Sequence, residues 1–264
     1  MLRNVFLKTL RDERKALIAW AIGMAVLAGY TLVFFPFLRD NTDLTKMMQS
    51  LPPALRSVYG QADFSTGSGY LGSAVFNLTV PVLFLIYGIT QGASAIAGEE
   101  DRRTLDLLLA NPVSRTSVLL AKFGAICTAL AGLGVVLWLT LWIGGSFVQL
   151  NVLVGNLAAA TLSGVLLGVV GAALTLAVGA ATGNRGLSLG IGAAVAFAGY
   201  LLRTLAASIP ELADWQKLSP FYYYNNHQPL INGLSLGNAA VFVVAAGICV
   251  VVAVALFTRR DLAV

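Results

Sequence analysis

Charge is what this sequence has least of. Only 11% of its 264 residues are Asp, Glu, Lys or Arg, against 58% apolar, and the mean hydropathy is +0.81. Soluble domains carry about 25% charged residues, so most of this surface faces something other than water. Histidine occurs once, at His227, and cysteine twice, at Cys127 and Cys249. The lone histidine has no His or Cys beside it, which leaves a metal site without support. Both cysteines lie inside apolar runs and read as small buried hydrophobes rather than as a disulfide. A P-loop, Gly-x-x-x-x-Gly-Lys-Ser/Thr, is missing, so the chain does not bind ATP in the way a P-loop ATPase does. None of the 12 acids falls inside an apolar run, which counts against a proton- or sodium-coupled carrier. Catalysis at membrane depth would have to use His227, which lies in a polar, aromatic segment; the chain is not expected to be an enzyme. The net charge of +5 is spread beside the apolar runs and builds no basic domain, so nucleic acid is excluded as a partner.

What the sequence does have is apolar runs of membrane length. A hydrocarbon core about 30 Å thick needs roughly 20 apolar residues in a helix. The first charge-free run, Ala16–Leu38, is too long for a signal-peptide core and lacks a clear small-x-small cleavage site after it. The run Phe64–Gly98 holds a second span starting near Leu71, with Pro81 inside it as a source of kinking. Phe123–Asn184 carries no charge at all and suits a hairpin of two spans turning near Gln149–Asn156. The expected fold is therefore all-α, with transmembrane helices at 16–38, 71–97, 118–147, 156–182, 187–207 and 236–257 in one transmembrane domain. The segment 208–235, with Pro210, Pro220 and Pro229, reads as an external loop holding short helices. In residues 1–15, Leu2, Phe6 and Leu10 recur every four residues among basic side chains, which suits an amphipathic helix lying on membrane lipid, the alternative being the start of the first span with flanking positive charge.

Six spans put both termini on one side, and Lys and Arg choose the side. Of the 17 basic residues, twelve (Arg3, Lys8, Arg11, Arg14, Lys15, Arg102, Arg103, Arg115, Lys122, Arg185, Arg259 and Arg260) fall on the face with the termini. Five (Arg39, Lys46, Arg56, Arg203 and Lys217) fall on the other, so the termini are expected in the cytoplasm. The pairs Gly164/Gly168, Gly179/Gly183 and Gly186/Gly190 have the spacing that lets helix backbones approach, and they read as packing within the bundle. Among polar groups in the spans, Asn77 and Gln91 are the most costly to leave in lipid and are candidates for lining a pathway. Tyr222, Tyr223 and Tyr224 read as interface anchors, and also as candidates for gating an exit.

One charged island, Gly98–Arg115, interrupts the oil on the cytoplasmic face. As a helix over Glu100–Ala110 it places Leu105, Leu108 and Leu109 on one side. Glu99, Glu100 and Asp101 then lie at its start, where the helix dipole favours acids. Arg102 and Asp106 are four apart and can pair, and Asn111-Pro112 ends the helix. Such an element can lie on lipid or fill a groove on another protein.

The run Ala95–Arg115 resembles the signature segment of the ABC-2 type permeases, the membrane subunits of prokaryotic ATP-driven exporters. The shared pattern is an acidic cluster, Thr104-Leu105-Asp106, further leucines, Pro112, Ser114-Arg115 and a following lysine, Lys122. Where the family usually has glycine before Thr-Leu, this chain has Arg103, a better helix former. The resemblance implies a short cytoplasmic coupling helix at 99–111. Its docking surface would comprise Glu99, Glu100, Asp101, Arg102, Arg103, Leu105, Asp106, Leu108 and Leu109. It also implies two copies of a cytoplasmic ABC ATPase that hold ATP and Mg, no cofactor on this chain, and a second permease chain, identical or related. The setting would be a multi-pass place in a prokaryotic inner membrane. The alternative reading is a stand-alone helical channel or an ion-coupled secondary transporter.

Overall fold

The computed structural model describes residues 5–39, 50, 64–103, 114–206 and 209–260. Every regular element among them is helical. Six stretches are long and apolar enough to cross a membrane: Val5–Arg39, Gly67–Ala95, Arg115–Phe147, Val154–Thr182, Arg185–Ala206 and Leu236–Arg259. The protein is thus an all-α, multi-pass membrane protein with six candidate spans among the described residues.

The amphipathic arm and the first span, expected as separate elements meeting at residue 15, form one unbroken helix, α1, Val5–Arg39. Nothing between Phe6 and Ile18 forces a break, since Arg14-Lys15-Ala16-Leu17 are all good helix formers. At 1.5 Å per residue α1 is about 52 Å long, well beyond the hydrocarbon thickness, so its basic first turns extend past the apolar core.

The second span is composite. A short helix, α2 (Gly67–Leu71), runs into a π-helical turn at Gly72–Phe76, and α3 (Thr79–Ala95) follows. Pro81, expected to kink the span from within, instead occupies the first turn of α3. Proline has no N–H to give and its ring crowds the carbonyl four residues back, so the helix reorganises ahead of it. The Phe76 carbonyl at the end of the π turn accepts a hydrogen bond from Tyr224 Oη at 2.7 Å.

A one-residue break at Ile96 leads into α4 (Ala97–Asp101). The remaining elements are α5 (Arg115–Phe147), α6 (Val154–Thr182), α7 (Arg185–Ala206), two short helices α8 (Pro220–Asn225) and α9 (Pro229–Asn232), and α10 (Leu236–Arg259). Two single turns, Pro210–Leu212 and Trp215–Leu218, lie between α7 and α8. Serines cap several of these helices in the expected way: Ser114 accepts from Ser117 N–H at α5, and Ser235 from Asn238 N–H at α10.

Helix α6 is the hub, packing against α3, α5, α7 and α10, while α1 packs chiefly on α5. Of its most apolar stretch 67% is buried, against 17% for α7. The contact of α3 with α6 is backbone to backbone. A side chain at Gly88 would overlap the Gly168 carbonyl, and one at Gly92 would overlap the Ala172 carbonyl and Thr175 Oγ1. Phe84, Tyr87, Leu130 and Leu176 close round this contact with no exposure to speak of. The spacing of Gly164 and Gly168 therefore serves packing within the bundle, as expected. Gly186 and Gly190 do not: both are exposed on α7, and nothing lies within 4 Å of a Cβ added at Gly190.

Overpacking a close helix contact costs about 1–3 kcal/mol. Gly88→Ala and Gly92→Ala should therefore lower the thermal midpoint of the detergent-solubilised protein. Gly190→Ala should leave it unchanged. Equal effects at all three positions would mean that α3 and α6 are not in backbone contact.

Candidate functional site

Glu99 and Glu100, at the start of the charged motif, lie where α4 meets the ends of α1, α3, α5, α6, α7 and α10. The described ends of the chain, Val5 and Arg260, are on the same side of the bundle as the motif: Val5 and Glu99 line one cleft, and Arg260 pairs with Glu100. That cleft has a volume of about 390 Å³ and lies between α1, α3, α4, α5 and the start of α7. Its polar lining includes Lys8, Asp12, Glu13, Gln91, Lys122 and Arg185. Tyr87, fully buried on α3, donates from its hydroxyl to Glu13 Oε2 at 3.3 Å and meets the Trp20 ring edge-on.

The motif does not continue as one helix through Glu100–Ala110. Helix α4 ends at Asp101, and Arg102 and Arg103 form a turn in which the Arg103 N–H donates to the Glu100 carbonyl at 2.9 Å. Arg103 has φ of 54°, in the left-handed region. This reverses the expectation attached to that position: arginine there does not extend a helix, it sits where glycine would turn the chain without steric cost. Leu105, Asp106, Leu108 and Leu109 lie outside the described residues, and with them the leucine face and the Arg102–Asp106 pairing. Arg102 instead donates from Nε to the Gly98 carbonyl at 2.9 Å.

The acidic cluster divides by direction. Glu99 pairs with Lys122 Nζ at 2.6 Å, and that lysine, on α5, is 5% exposed. Glu100 pairs with Arg260. Asp101, Arg102 and Arg103 are exposed. Lys122, singled out in the sequence only as the lysine that follows the motif, is thus tied to it directly. Arg185 Nε donates to Ser94 Oγ at 2.9 Å, joining the start of α7 to α3.

The candidate pathway residues do not converge. Gln91 lines the cleft at the motif end. Asn77 is buried beside the π turn at the opposite end of the second span. Tyr224 is fully enclosed there, its hydroxyl committed to the Phe76 carbonyl. Burial pushes its pKa far above the ordinary phenol range, with nearby Arg203 pulling the other way, so it is a neutral donor at any working pH. Tyr222 and Tyr223 are half-buried and meet each other edge-on at 5.2 Å. The backbone of Tyr223 accepts from Asn238 Nδ2 at 2.9 Å, and Asn156 Nδ2 donates to the carbonyls of Leu230 and Ile231 at 3.1 and 2.8 Å. Tyr224 is therefore a staple between α8 and the second span.

A model of the ABC-2 family transporter proteins matches residues 3–262, nearly the full chain. Comparison with curated proteins gives no match.

Two substitutions test the geometry of the motif. Arg103→Gly removes a non-glycine residue from left-handed backbone, which costs about 1 kcal/mol, and should raise the thermal midpoint. A lowered midpoint would place Arg103 in ordinary helix. Lys122→Met leaves the Glu99 carboxylate partly buried without its cation and should destabilise by about 3 kcal/mol. The double variant Glu99→Gln, Lys122→Met should be more stable than Lys122→Met alone, by the same measurement.

Proposed function

Because the chain belongs to the ABC-2 family of transporter proteins, we propose that it is the membrane subunit of an exporter driven by a separate ATP-hydrolysing subunit. The observation that carries this reading is the motif itself. It sits at the end of the bundle shared by both described termini, directly after α3, and presents Asp101, Arg102 and Arg103 outward. Twelve of the 17 basic residues fall on this side along the sequence, which supports a cytoplasmic setting for it in a prokaryotic inner membrane.

The partner holds ATP and Mg, and this chain holds neither. The ATPase docks on the segment 99–111, with Leu105, Leu108 and Leu109 in a groove and the surrounding charges setting register. Two permease chains and two ATPases assemble, with the substrate path between the permeases. When nucleotide binding draws the ATPases together, the docked segments move and pull on α3 across the break at Ile96. Through the backbone contact at Gly88 and Gly92 that motion reaches α6, and with it most of the bundle. Alternating access or lateral extrusion follows at the interface of the two permeases.

Purification of the tagged chain from its native membranes should bring an ATPase with it. Leu105→Asp combined with Leu108→Asp should reduce the amount retained at least tenfold while leaving the permease in the membrane. Undiminished ATPase in that variant would remove these leucines from the docking surface.

A further inference from the structure

Glu99 and Glu100 are turned into the protein, and their partners lie on α5 and just beyond the end of α10. Glu100 pairs with Arg260, just beyond the end of α10. Arg260 also donates from Nη1 to the Ala180 carbonyl in the last turn of α6, at 3.2 Å. Arg115, the first residue of α5, donates from Nη1 to the carbonyls of Phe257 and Arg260, at 3.2 and 2.7 Å, and its guanidinium lies 5.8 Å from the centre of the Phe257 ring. Those carbonyls are among the ones that a helix end leaves without intrahelical donors, and a cation is favoured beside them. One cluster thus joins α4, the end of α6, the start of α5 and the end of α10.

Gly183 makes room for it. This residue caps α6 with φ of 65°, and a side chain there would overlap both Arg260 Nη2 and Glu100 Oε2. Left-handed backbone asks for glycine, and here the ion pair asks for it as well. Glu100 Oε2 is buried and has no hydrogen-bond partner among the described residues, so the carboxylate depends on Arg260 for its neutralisation. Removing one member of such a pair is much worse than removing both, because the remaining charge stays out of water.

We propose that Glu100 and Arg260, braced by Arg115, form a latch that fastens the docking segment to the ends of α6 and α10, so that the partner ATPase reads Asp101, Arg102 and Arg103 rather than the acidic pair. The proposal rests on the docking reading above and refines it: Glu100 is a positioning residue, not a contact. The latch also supplies a second route for motion. A pull on the segment that follows Asp101 reaches α6 at its end through Arg260 as well as at its middle through α3.

The test is a double-mutant cycle on the full chain, purified with its copurifying ATPase. Arg260→Met should lower the thermal midpoint by about 5 °C. Adding Glu100→Gln should recover part of that loss, and the exchange Glu100→Arg with Arg260→Glu should recover more than either charge reversal alone. Additive effects across the cycle would overturn the latch. For the division of roles, the ATPase retention lost in Glu100→Arg should return in the swapped pair Glu100→Arg with Arg260→Glu, because the charge at position 100 is met by Arg260 and not by the partner. Arg102→Glu with Arg103→Glu should cut retention at least tenfold. Retention in the swapped pair no better than in Glu100→Arg alone would make Glu100 a contact residue and overturn the proposal. Failure of the parent chain to bring any ATPase would instead overturn the docking reading, leaving the latch to stand or fall by the cycle.

Discussion

Direct contact between the backbones of α3 and α6 is the constraint on which the rest of the bundle depends. In lipid there is no hydrophobic force between helices, so close van der Waals packing has to hold them together. Gly88 and Gly92 allow that by presenting bare backbone to Gly168 and Ala172. The large side chains Phe84, Leu130 and Leu176 then fill the space round the contact line. Because α6 is also the helix against which α5, α7 and α10 rest, the position of α3 relative to α6 fixes the positions of most of the others. The motif follows α3 after a single-residue break, so its placement is inherited from the same contact.

The six spans were legible because their signal is local. Length and apolarity decide whether a helix crosses a membrane, and both can be counted along the chain. The glycines of α6 were legible too, from their spacing. Those of α3, Gly88 and Gly92, carry the same spacing within a stretch that also holds Pro81, Thr90 and Gln91. The exposed position of Gly190 shows the limit of the spacing rule, which identifies a helix face able to approach another backbone and says nothing about whether one is there.

The motif was legible as an element and misread in detail. Helical periodicity favoured an unbroken helix, and Arg103 was counted as a strengthening residue. A turn at Arg102–Arg103 with left-handed backbone overrides that propensity, and makes sense of the glycine that the resemblance led one to expect there. The inward direction of Glu99 and Glu100 had no sequence signal at all. Their partners stand 23 and 160 positions away, and only the packing of α5 and α10 beside α4 brings them within reach. The staple from Tyr224 to Phe76 spans 148 positions and was equally hidden.

The π turn at Gly72–Phe76 has a consequence for how the second span presents itself to its neighbours. A π turn accommodates one residue more than the α ladder would. Everything on one side of it is therefore out of phase with everything on the other, by about the 100° that one residue subtends in an α-helix. Tyr70 and Leu71 before the turn, and Phe84, Tyr87 and Gly88 after it, are all buried. In an ideal helix from Gly67 to Ala95, Tyr70 and Gly88, eighteen residues or five turns apart, would share one face. The span is two helical faces joined by a phase shift. Its half beyond the turn faces α6, while its opening half faces α1, where the Tyr70 hydroxyl donates to the Thr31 carbonyl at 2.7 Å.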